Sequence, residues 1–192
     1  MSTPHAIIFD ADGVVIEPWG FANVLEADYG ISRDATHAFF RGPFPACLVG
    51  EADLRVCLEG VLGEWGWRGT VDELIEVWMQ ADDLPVQPVL DHVAAIRRSG
   101  RLCCLASNQE FTRARYITHR MGFADYFDHL FFSCDLGAMK PELAYYRQIE
   151  QAIGVEPAHI LFLDDSPGHV QGAIDAGWQA IHFTGPEVLS QI

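Results

Sequence analysis

Five short apolar runs, each the length of a β-strand, constrain the fold of this chain more than any other feature. They occupy residues 6–9, 102–106, 129–132, 160–163 and 180–183, and four of them are almost continuously apolar. Such runs are typical of parallel strands covered on both faces. Apolar residues at helical spacing precede the second run, as at Val93 and Ile96, and fill the segments between the last four runs, as at Tyr146 and Ile149. The sequence therefore predicts an α/β fold with a doubly wound, mainly parallel sheet.

The first run is separated from the next strand-and-helix unit by a long helical segment. About 75 residues intervene, where a strand–helix–strand unit needs roughly 30. Thr70 and Glu73 form a possible capping box before one of three helical patterns in this segment. We therefore expect a core made of residues 1–15 and 87–192, with residues 16–86 inserted as a helical cap.

The charge balance limits the partners of the protein. The 192 residues include 12 basic and 27 acidic side chains, which gives a formal net charge of −15. So acidic a surface repels phosphate backbones, and we expect neither nucleic acid nor an anionic membrane as a partner. The chain has no apolar run of about 20 residues and no signal segment at its start, so the expected location is the cytoplasm.

Polar residues follow the first two strands, at the edge where parallel α/β sheets bind their ligands. Asp10 and Asp12 follow the first strand, and such carboxylates bind a metal ion or act as nucleophile and general acid. Ser107 and Asn108 follow the second strand, ahead of a helix, where they would form an anion site. Taken singly, an aspartate turn and a helix cap explain these residues better than a catalytic or binding role does.

The third and fourth strands are followed by a lysine and by paired carboxylates. Lys140 is the only lysine beside eleven arginines, which suggests a role that a compact, single-point charge fills better; the alternative is a chance surface lysine. Asp164 and Asp165 would complete a carboxylate cluster with the aspartates of the first strand. Clustered carboxylates need a cation, most naturally Mg²⁺. Together these strand ends predict phosphoryl transfer through a carboxylate.

The sequence resembles the haloacid dehalogenase-like hydrolase superfamily along its whole length. The motifs that carry the resemblance, in the family's order and spacing, are Asp10-Ala11-Asp12-Gly13-Val14-Val15, Ser107-Asn108, Lys140-Pro141 and Asp164-Asp165-Ser166. The inserted segment is similar to the small α-helical cap of that family. The resemblance implies the sheet order 5-4-1-2-3, and the fourth motif is most similar to that of bacterial sugar-phosphate phosphatases.

The resemblance also implies roles for the motif residues. Asp10 would attack phosphorus, and Asp12 would protonate the leaving group and then activate water. Asp10, the main-chain carbonyl of Asp12, and Asp165 would bind Mg²⁺, with Asp164 as an outer or additional ligand. Ser107, Asn108 and Lys140 would bind the phosphate.

The expected function is therefore the Mg²⁺-dependent hydrolysis of a small phosphorylated metabolite, with sugar phosphates among the candidates. The presence of Asp12 disfavours dehalogenation, and the absence of lysine from residues 16–86 excludes phosphonatase chemistry. A phosphomutase and a non-catalytic binding protein on the same fold remain alternatives. His169 stands where many relatives carry a further aspartate, and Trp19, close to the first motif, is a less favoured candidate for substrate contact.

Overall fold

The sheet of this protein is parallel and has five strands in the described part of the chain. The computed structural model describes residues 3–18 and 20–192. The strands are β1 (Ala6–Phe9), β2 (Leu102–Ser107), β3 (His129–Phe132), β4 (Ile160–Asp164) and β5 (Gln179–His182). Their order is β3-β2-β1-β4-β5, which confirms the predicted fold class and strand order.

The register of the central strands determines which residues meet at the carboxyl edge. Phe9, the last residue of β1, pairs with Leu105 of β2 and with Leu163 of β4. The next residue, Asp10, therefore emerges between the ends of β2 and β4, beside Asp164. All four residues of β1 are fully buried, so apolar packing on both faces fixes this position.

Helices cover both faces of the sheet and form the inserted segment. In the described ranges they are α1 (Phe21–Tyr29), α2 (Arg33–Arg41), α3 (Phe44–Leu48), α4 (Leu54–Glu59), α5 (Val71–Ala81), α6 (Gln87–Arg98), α7 (Phe111–Arg115), α8 (Phe123–Tyr126), α9 (Ser133–Leu136), α10 (Leu143–Ile153) and α11 (Pro167–Asp175). A π-helical turn at Tyr116–Arg120 continues α7. None of the described helices has the length and apolar character required to cross a membrane.

Two apolar clusters pack against opposite faces of the sheet. One includes Val93 and Ile96 of α6, and the other includes Tyr146 and Ile149 of α10. These are the faces that the helical periodicity predicts. The two clusters make the sheet the central layer of a three-layer core, which holds the strand ends rigidly in place.

The inserted segment has an apolar cluster of its own and more helices than its sequence pattern predicts. The cluster includes Phe21, Leu25 and Trp78. The predicted capping box is present, since the Glu73 N–H donates to the Thr70 hydroxyl and the Thr70 N–H donates to the Glu73 carboxylate. The pattern does not reveal α2, where Thr36 and Phe39 are the buried residues, or the five-residue α3.

A short two-stranded neck joins the inserted segment to the rest of the chain. The Glu17 N–H donates to the Leu84 carbonyl at 2.8 Å, and the Val86 N–H donates to the Val15 carbonyl at 2.9 Å. We propose that this neck marks the boundary between the core, residues 1–15 and 87–192, and the cap, residues 16–86.

Candidate active site

The turn after β1 brings its carboxylates to the end of the sheet. The Ala11 carbonyl accepts hydrogen bonds from the N–H groups of Val14, Val15 and Ile16, which closes a tight loop. Gly13 has a φ of 81° in this loop, and a Cβ there would lie 2.3 Å from Oδ2 of Asp165. Glycine is therefore required both by the backbone and by the close approach of the Asp165 carboxylate.

A buried lysine bridges two carboxylates at the centre of the site. Nζ of Lys140 lies 2.7 Å from Oδ1 of Asp10 and 2.7 Å from Oδ2 of Asp164. It also donates to the Ala106 carbonyl at 3.1 Å, so all three ammonium donors are used. Lys140 is only 2% exposed, which is inconsistent with a chance surface lysine.

One ammonium group cannot neutralise two buried carboxylates, and the pKa values show the imbalance. Burial, reinforced by the charge of Asp164 and opposed by Lys140, raises the pKa of Asp10 to about 8. Burial also acts to raise the pKa of Asp164, but a hydrogen bond to His169 and the charge of Lys140 hold it below its usual range. The pKa of Lys140 is raised because its carboxylate partners outweigh its burial. The site therefore has excess negative charge.

The donor set is suited to a hard divalent cation. Ligand atoms of Asp10, Asp164 and His169 lie within 4.8 Å of one another. Nδ1 of His169 is 3.0 Å from Oδ1 of Asp164, so the imidazole acts as a carboxylate partner. Burial and the charge of Asp164 raise the pKa of the nearby Asp165 carboxyl, which also indicates uncompensated negative charge. Carboxylate oxygens in such surplus fit Mg²⁺.

Ser107 and Asn108 lie at the same edge, but they make different contacts. The Asn108 amide donates to the Lys140 carbonyl at 3.0 Å and accepts from the Lys140 N–H at 2.9 Å. Asn108 therefore fixes the main chain that carries the lysine. The Ser107 hydroxyl accepts from Nε2 of Gln109 at 3.1 Å, which leaves its own proton available for an anion.

The second aspartate of the first motif is held by residues of the β2–α7 connection. Nε2 of Gln109 donates to Oδ2 of Asp12 at 2.6 Å, and Nη2 of Arg113 lies 3.7 Å from Oδ1. Gln109 and Arg113 are both buried, whereas the Asp12 side chain is 36% exposed. These contacts aim the accessible carboxyl into the space between the sheet edge and the inserted helices.

That space is a cavity of about 300 Å³. It is lined by Asp12, Asn108, Gln109, Arg113 and His169 from the sheet edge, and by Phe21, Phe40, Phe44, Leu48, Trp78 and Asp82 from the inserted segment. The cavity therefore has a polar floor and a largely aromatic roof.

Three residues of the site are not assigned a role by the sequence motifs. Gln109 directly follows Ser107-Asn108, so the sequence places it at the end of the second strand. Its hydrogen-bond partner Asp12 lies 97 positions away, and the sequence gives no signal for that contact. His169 stands out in the sequence only as a departure from the family pattern. Arg113 gives no signal beyond its place in a helix. Trp19 lies outside the described residues.

The chain belongs to the haloacid dehalogenase-like hydrolases, whose family model matches residues 4–177. This match covers the inserted segment and every strand of the sheet except β5. The family membership predicted from the four motifs is thereby confirmed.

Curated relatives include hydrolases with several named activities. A bifunctional epoxide hydrolase 2 of Rattus norvegicus is 26% identical over 90% of this chain but only 35% of its own length. A flavin mononucleotide hydrolase of Arabidopsis thaliana is 31% identical over 39% of the chain and 31% of its own length. The chain thus spans about a third of the length of these two relatives. A 6-phosphogluconate phosphatase of Escherichia coli is 24% identical over 95% of the chain and 84% of its own length.

Solved structures share the fold at low sequence identity. A HAD family enzyme of Bacteroides thetaiotaomicron, solved in complex with magnesium and inorganic phosphate, superimposes with a TM-score of 0.77 at 19% identity, covering 93% of both chains. The L-2-haloacid dehalogenase of Xanthobacter autotrophicus has a TM-score of 0.70 at 22% identity, covering 93% of this chain and 76% of its own.

Proposed function

We propose that this hydrolase is a Mg²⁺-dependent phosphatase that cleaves a small phosphate monoester through an aspartyl-phosphate. The observation that carries the proposal is the buried Asp10–Lys140–Asp164 arrangement with Asp12 beside it. The 6-phosphogluconate phosphatase relative, and the solved relative that holds magnesium and phosphate, support the same reaction class.

Asp10 is the proposed nucleophile. The Ala11 N–H and the Lys140 ammonium both donate to Oδ1, at 2.7 Å each, so Oδ2 is the oxygen that attacks phosphorus. A bond forms between Oδ2 and phosphorus while the bond from phosphorus to the ester oxygen breaks. The positive charge of the lysine opposes the effect of burial on the pKa of Asp10, and the charge of a bound metal ion would lower that pKa further, towards the ionised form that attacks.

Asp12 is the proposed general acid and base. In its protonated form it gives a proton to the departing ester oxygen, which leaves as the alcohol. The resulting carboxylate then takes a proton from a water molecule that attacks phosphorus. The bond between phosphorus and Oδ2 of Asp10 then breaks, which releases inorganic phosphate and regenerates the free enzyme. Gln109 orients Asp12 for both transfers.

Asp10, Asp165 and the main-chain carbonyl of Asp12 would hold the metal ion, and Asp164 would act as an outer or additional ligand. When bound, Mg²⁺ would supply positive charge against the phosphate oxygens and the carboxylates. The Ser107 hydroxyl and Lys140 would stabilise the phosphate. Asn108 would contribute through its hold on the Lys140 main chain.

The two alternatives receive no support from the described cavity. A phosphomutase needs a second cationic site for its doubly phosphorylated intermediate. Among the described residues that line the cavity, Arg113 of the core is the one lysine or arginine, and no cap arginine lines it. A non-catalytic descendant would be expected to have lost Asp10 or Lys140. We therefore propose a small phosphorylated metabolite as the substrate. The cytoplasm is the proposed location of the protein.

The proposal is tested by phosphate release from a generic aryl phosphate, with and without Mg²⁺. We expect turnover that is abolished by a chelator and restored by Mg²⁺. A rapid acid quench should trap a phosphoryl group on Asp10, identified by mass spectrometry of the peptide that contains it. Full turnover in excess chelator would contradict the metal requirement, and turnover without a phosphopeptide would contradict the covalent intermediate.

A further inference from the structure

Two cysteines of the inserted segment lie side by side, although they are 10 positions apart in the sequence. The thiol of Cys47 donates a hydrogen bond to Sγ of Cys57 at 3.6 Å, and both thiols are free. Cys47, on α3, is buried, whereas Cys57, on α4, is partly exposed. The sulfur atoms need to approach by only about 1.5 Å to reach the length of a disulfide bond, a movement within the range of side-chain rotation.

The main chain between α3 and α4 fixes this proximity. The Ala46 carbonyl accepts hydrogen bonds from the N–H groups of Glu51 and Ala52, at 2.9 and 3.1 Å. The Asp53 carboxylate accepts two N–H groups in the first turn of α4 and caps that helix. Both sides of the connection are therefore held by hydrogen bonds, and the two thiols meet because the backbone places them together.

Neighbouring cysteines elsewhere in the chain are kept apart. Cys103 and Cys104 are consecutive residues of β2, so their side chains point to opposite faces of the sheet. Cys103 belongs to the apolar cluster on one face, and Cys104 belongs to the cluster on the other. Cys134 is buried in the same cluster as Cys103. These three buried thiols of the core provide an internal reference for the reactivity of the pair.

The two thiols of the pair are suited to different chemical steps. The S–H group of Cys47 is directed at the Cys57 sulfur, where it stabilises a thiolate. Burial, reinforced by the hydrogen bond to Cys57, raises the pKa of Cys47 to about 12, so this thiol stays protonated. Cys57 is therefore the thiol that meets an external reagent, and Cys47 is the thiol that completes a bridge.

We propose that Cys47 and Cys57 are a redox modification site, which a low-molecular-weight disulfide such as oxidised glutathione converts to a reversible intramolecular disulfide. Reversible bridges of this kind are the ones found in reducing compartments. Neither cysteine lines the cavity, so the proposal goes beyond the phosphatase assignment and does not depend on it.

The bridge forms by two thiol–disulfide exchanges. The thiolate of Cys57 attacks one sulfur of the reagent, which gives a mixed disulfide and expels the first reagent thiolate. Cys47 gives its proton to that thiolate and attacks the Cys57 sulfur, which expels the second. The proton that Cys57 lost beforehand reaches the second thiolate through the solvent. Two protein thiols are thereby oxidised, and one reagent disulfide is reduced to two thiols.

The bridge would lie directly behind the cavity wall. Helix α3, which carries Cys47, also carries Phe44 and Leu48, and both of these line the cavity. The turn that follows α3 packs tightly on the core, since a Cβ at Gly50 would lie 2.9 Å from the Cys134 carbonyl. A covalent link between α3 and α4 closes a ring across this turn and opposes its opening. Oxidation is therefore expected to make this part of the wall more rigid.

Tryptic peptide mapping detects the bridge directly, because Arg55 lies between the two cysteines. Cleavage there places Cys47 in the peptide of residues 42–55 and Cys57 in the peptide of residues 56–68. The native protein is incubated with oxidised glutathione, quenched in acid, alkylated with a maleimide in denaturant, and digested. We expect the two peptides to be linked, whereas the three cysteines of the core carry the alkyl group. Reduction should return both peptides to the free form.

Two variants test the assigned order of the steps. Cys47→Ala should raise the amount of mixed disulfide at Cys57 by about tenfold or more over the wild type, because no neighbouring thiol removes it. Cys57→Ala should leave Cys47 unmodified, since the remaining thiol is buried.

The wild-type protein alone can overturn the proposal, so it does not depend on the folding of either variant. A mixed disulfide at Cys57 as the main product would show that Cys47 does not complete the bridge. A link between two copies of the peptide 56–68 would show that the exposed thiol reacts between molecules. An unmodified pair in excess oxidised glutathione would contradict the site itself.

Hydrogen exchange tests the consequence for the cavity wall. Amides of residues 44–57 should exchange about tenfold more slowly in the bridged protein than in the reduced protein, and those of β1 should be unchanged. Equal exchange in residues 44–57 would contradict the effect on the wall. None of these measurements uses turnover, so a failure of the phosphatase assignment and a failure of this proposal are seen separately.

Discussion

The sheet edge and the cap roof face each other across one cavity, yet they are built in opposite ways. At the sheet edge, ionisable groups are buried, and Lys140 is held by three acceptors that strand register brings together. The roof consists mainly of side chains from α1, α2, α3 and α5, which pack into an apolar cluster separate from those of the sheet. We therefore propose that the reaction depends on the core, whereas discrimination between substrates depends on the cap.

The largest effect is expected at the nucleophile. Asp10→Asn should lower turnover by about 10⁴-fold or more, because the amide cannot form the phosphoenzyme. Steady-state phosphate release measures the loss, and Asp135→Asn, an exposed aspartate of the core, serves as the control. Near-native turnover of Asp10→Asn would contradict the proposed role of Asp10 as the nucleophile.

Loss of the buried cation should have the next largest effect. Lys140→Met should lower turnover by about 10²- to 10³-fold, because a preorganised charge is removed from the site. Lys140→Arg should not restore activity, since the planar guanidinium cannot reproduce the contacts with Asp10, Asp164 and the Ala106 carbonyl. Recovery by arginine would show that only net charge matters at this position.

The metal-free protein should lose stability as the pH rises, through Asp10. The folded state holds a proton on Asp10 up to a pKa of about 8, whereas the unfolded carboxyl titrates near 3.8. Between these values the folded state binds the extra proton. The contribution to the free energy of unfolding therefore falls by about 1.4 kcal/mol per pH unit, or tenfold in the unfolding equilibrium constant.

Urea unfolding in chelator, from pH 5 to pH 8, measures this dependence. Asp10→Asn is the comparison, because it removes the titrating group and should have a correspondingly shallower profile. Parallel profiles for the two proteins would contradict the raised pKa.

The hydrogen bond to Asp12 should have a smaller effect on rate. Gln109→Leu removes the donor but not the general acid, so we expect turnover to fall by about tenfold, a fraction of the 10²- to 10⁴-fold that the acid contributes. The KM should change little, because the lost hydrogen bond orients the general acid and not the substrate. Unchanged turnover would leave Gln109 as a packing residue only.

The smallest effect on chemistry is expected in the roof. Phe44→Leu reduces aromatic contact without adding polarity, and should lower kcat/KM for an aryl phosphate by about threefold to tenfold. Hydrolysis of methyl phosphate, which does not reach the roof, should be unchanged. An equal loss for both esters would contradict the division of labour between core and cap.

The sequence predicts the core more fully than the cap for a physical reason. Continuous apolar runs specify buried parallel strands, and strand ends gather at one edge, so the meeting of Asp10 with Lys140 and Asp164 follows from the pattern. Side-chain partners that depend on distant loops do not follow. The amide of Asn108, expected at the phosphate, binds the main chain of Lys140, and no local pattern encodes that choice.

The cap also shows the limits of periodicity. Helix α2 buries only Thr36 and Phe39, one of which is polar, and α3 has five residues, which is less than two helical turns. The prediction of three helical patterns there is incomplete, although the capping box that begins α5 was readable from Thr70 and Glu73.

The neck has a consequence for how such a molecule can change over generations. The chain leaves the sheet and returns to it through paired residues, with Glu17 bonded to Leu84 and Val86 bonded to Val15. Because the two crossing points are adjacent, helices between them can be lengthened, exchanged or lost without shifting the register of any strand. The inserted segment can therefore be replaced as a unit during evolution. Such a replacement would change the substrate specificity while the reacting groups of the sheet edge stay in place.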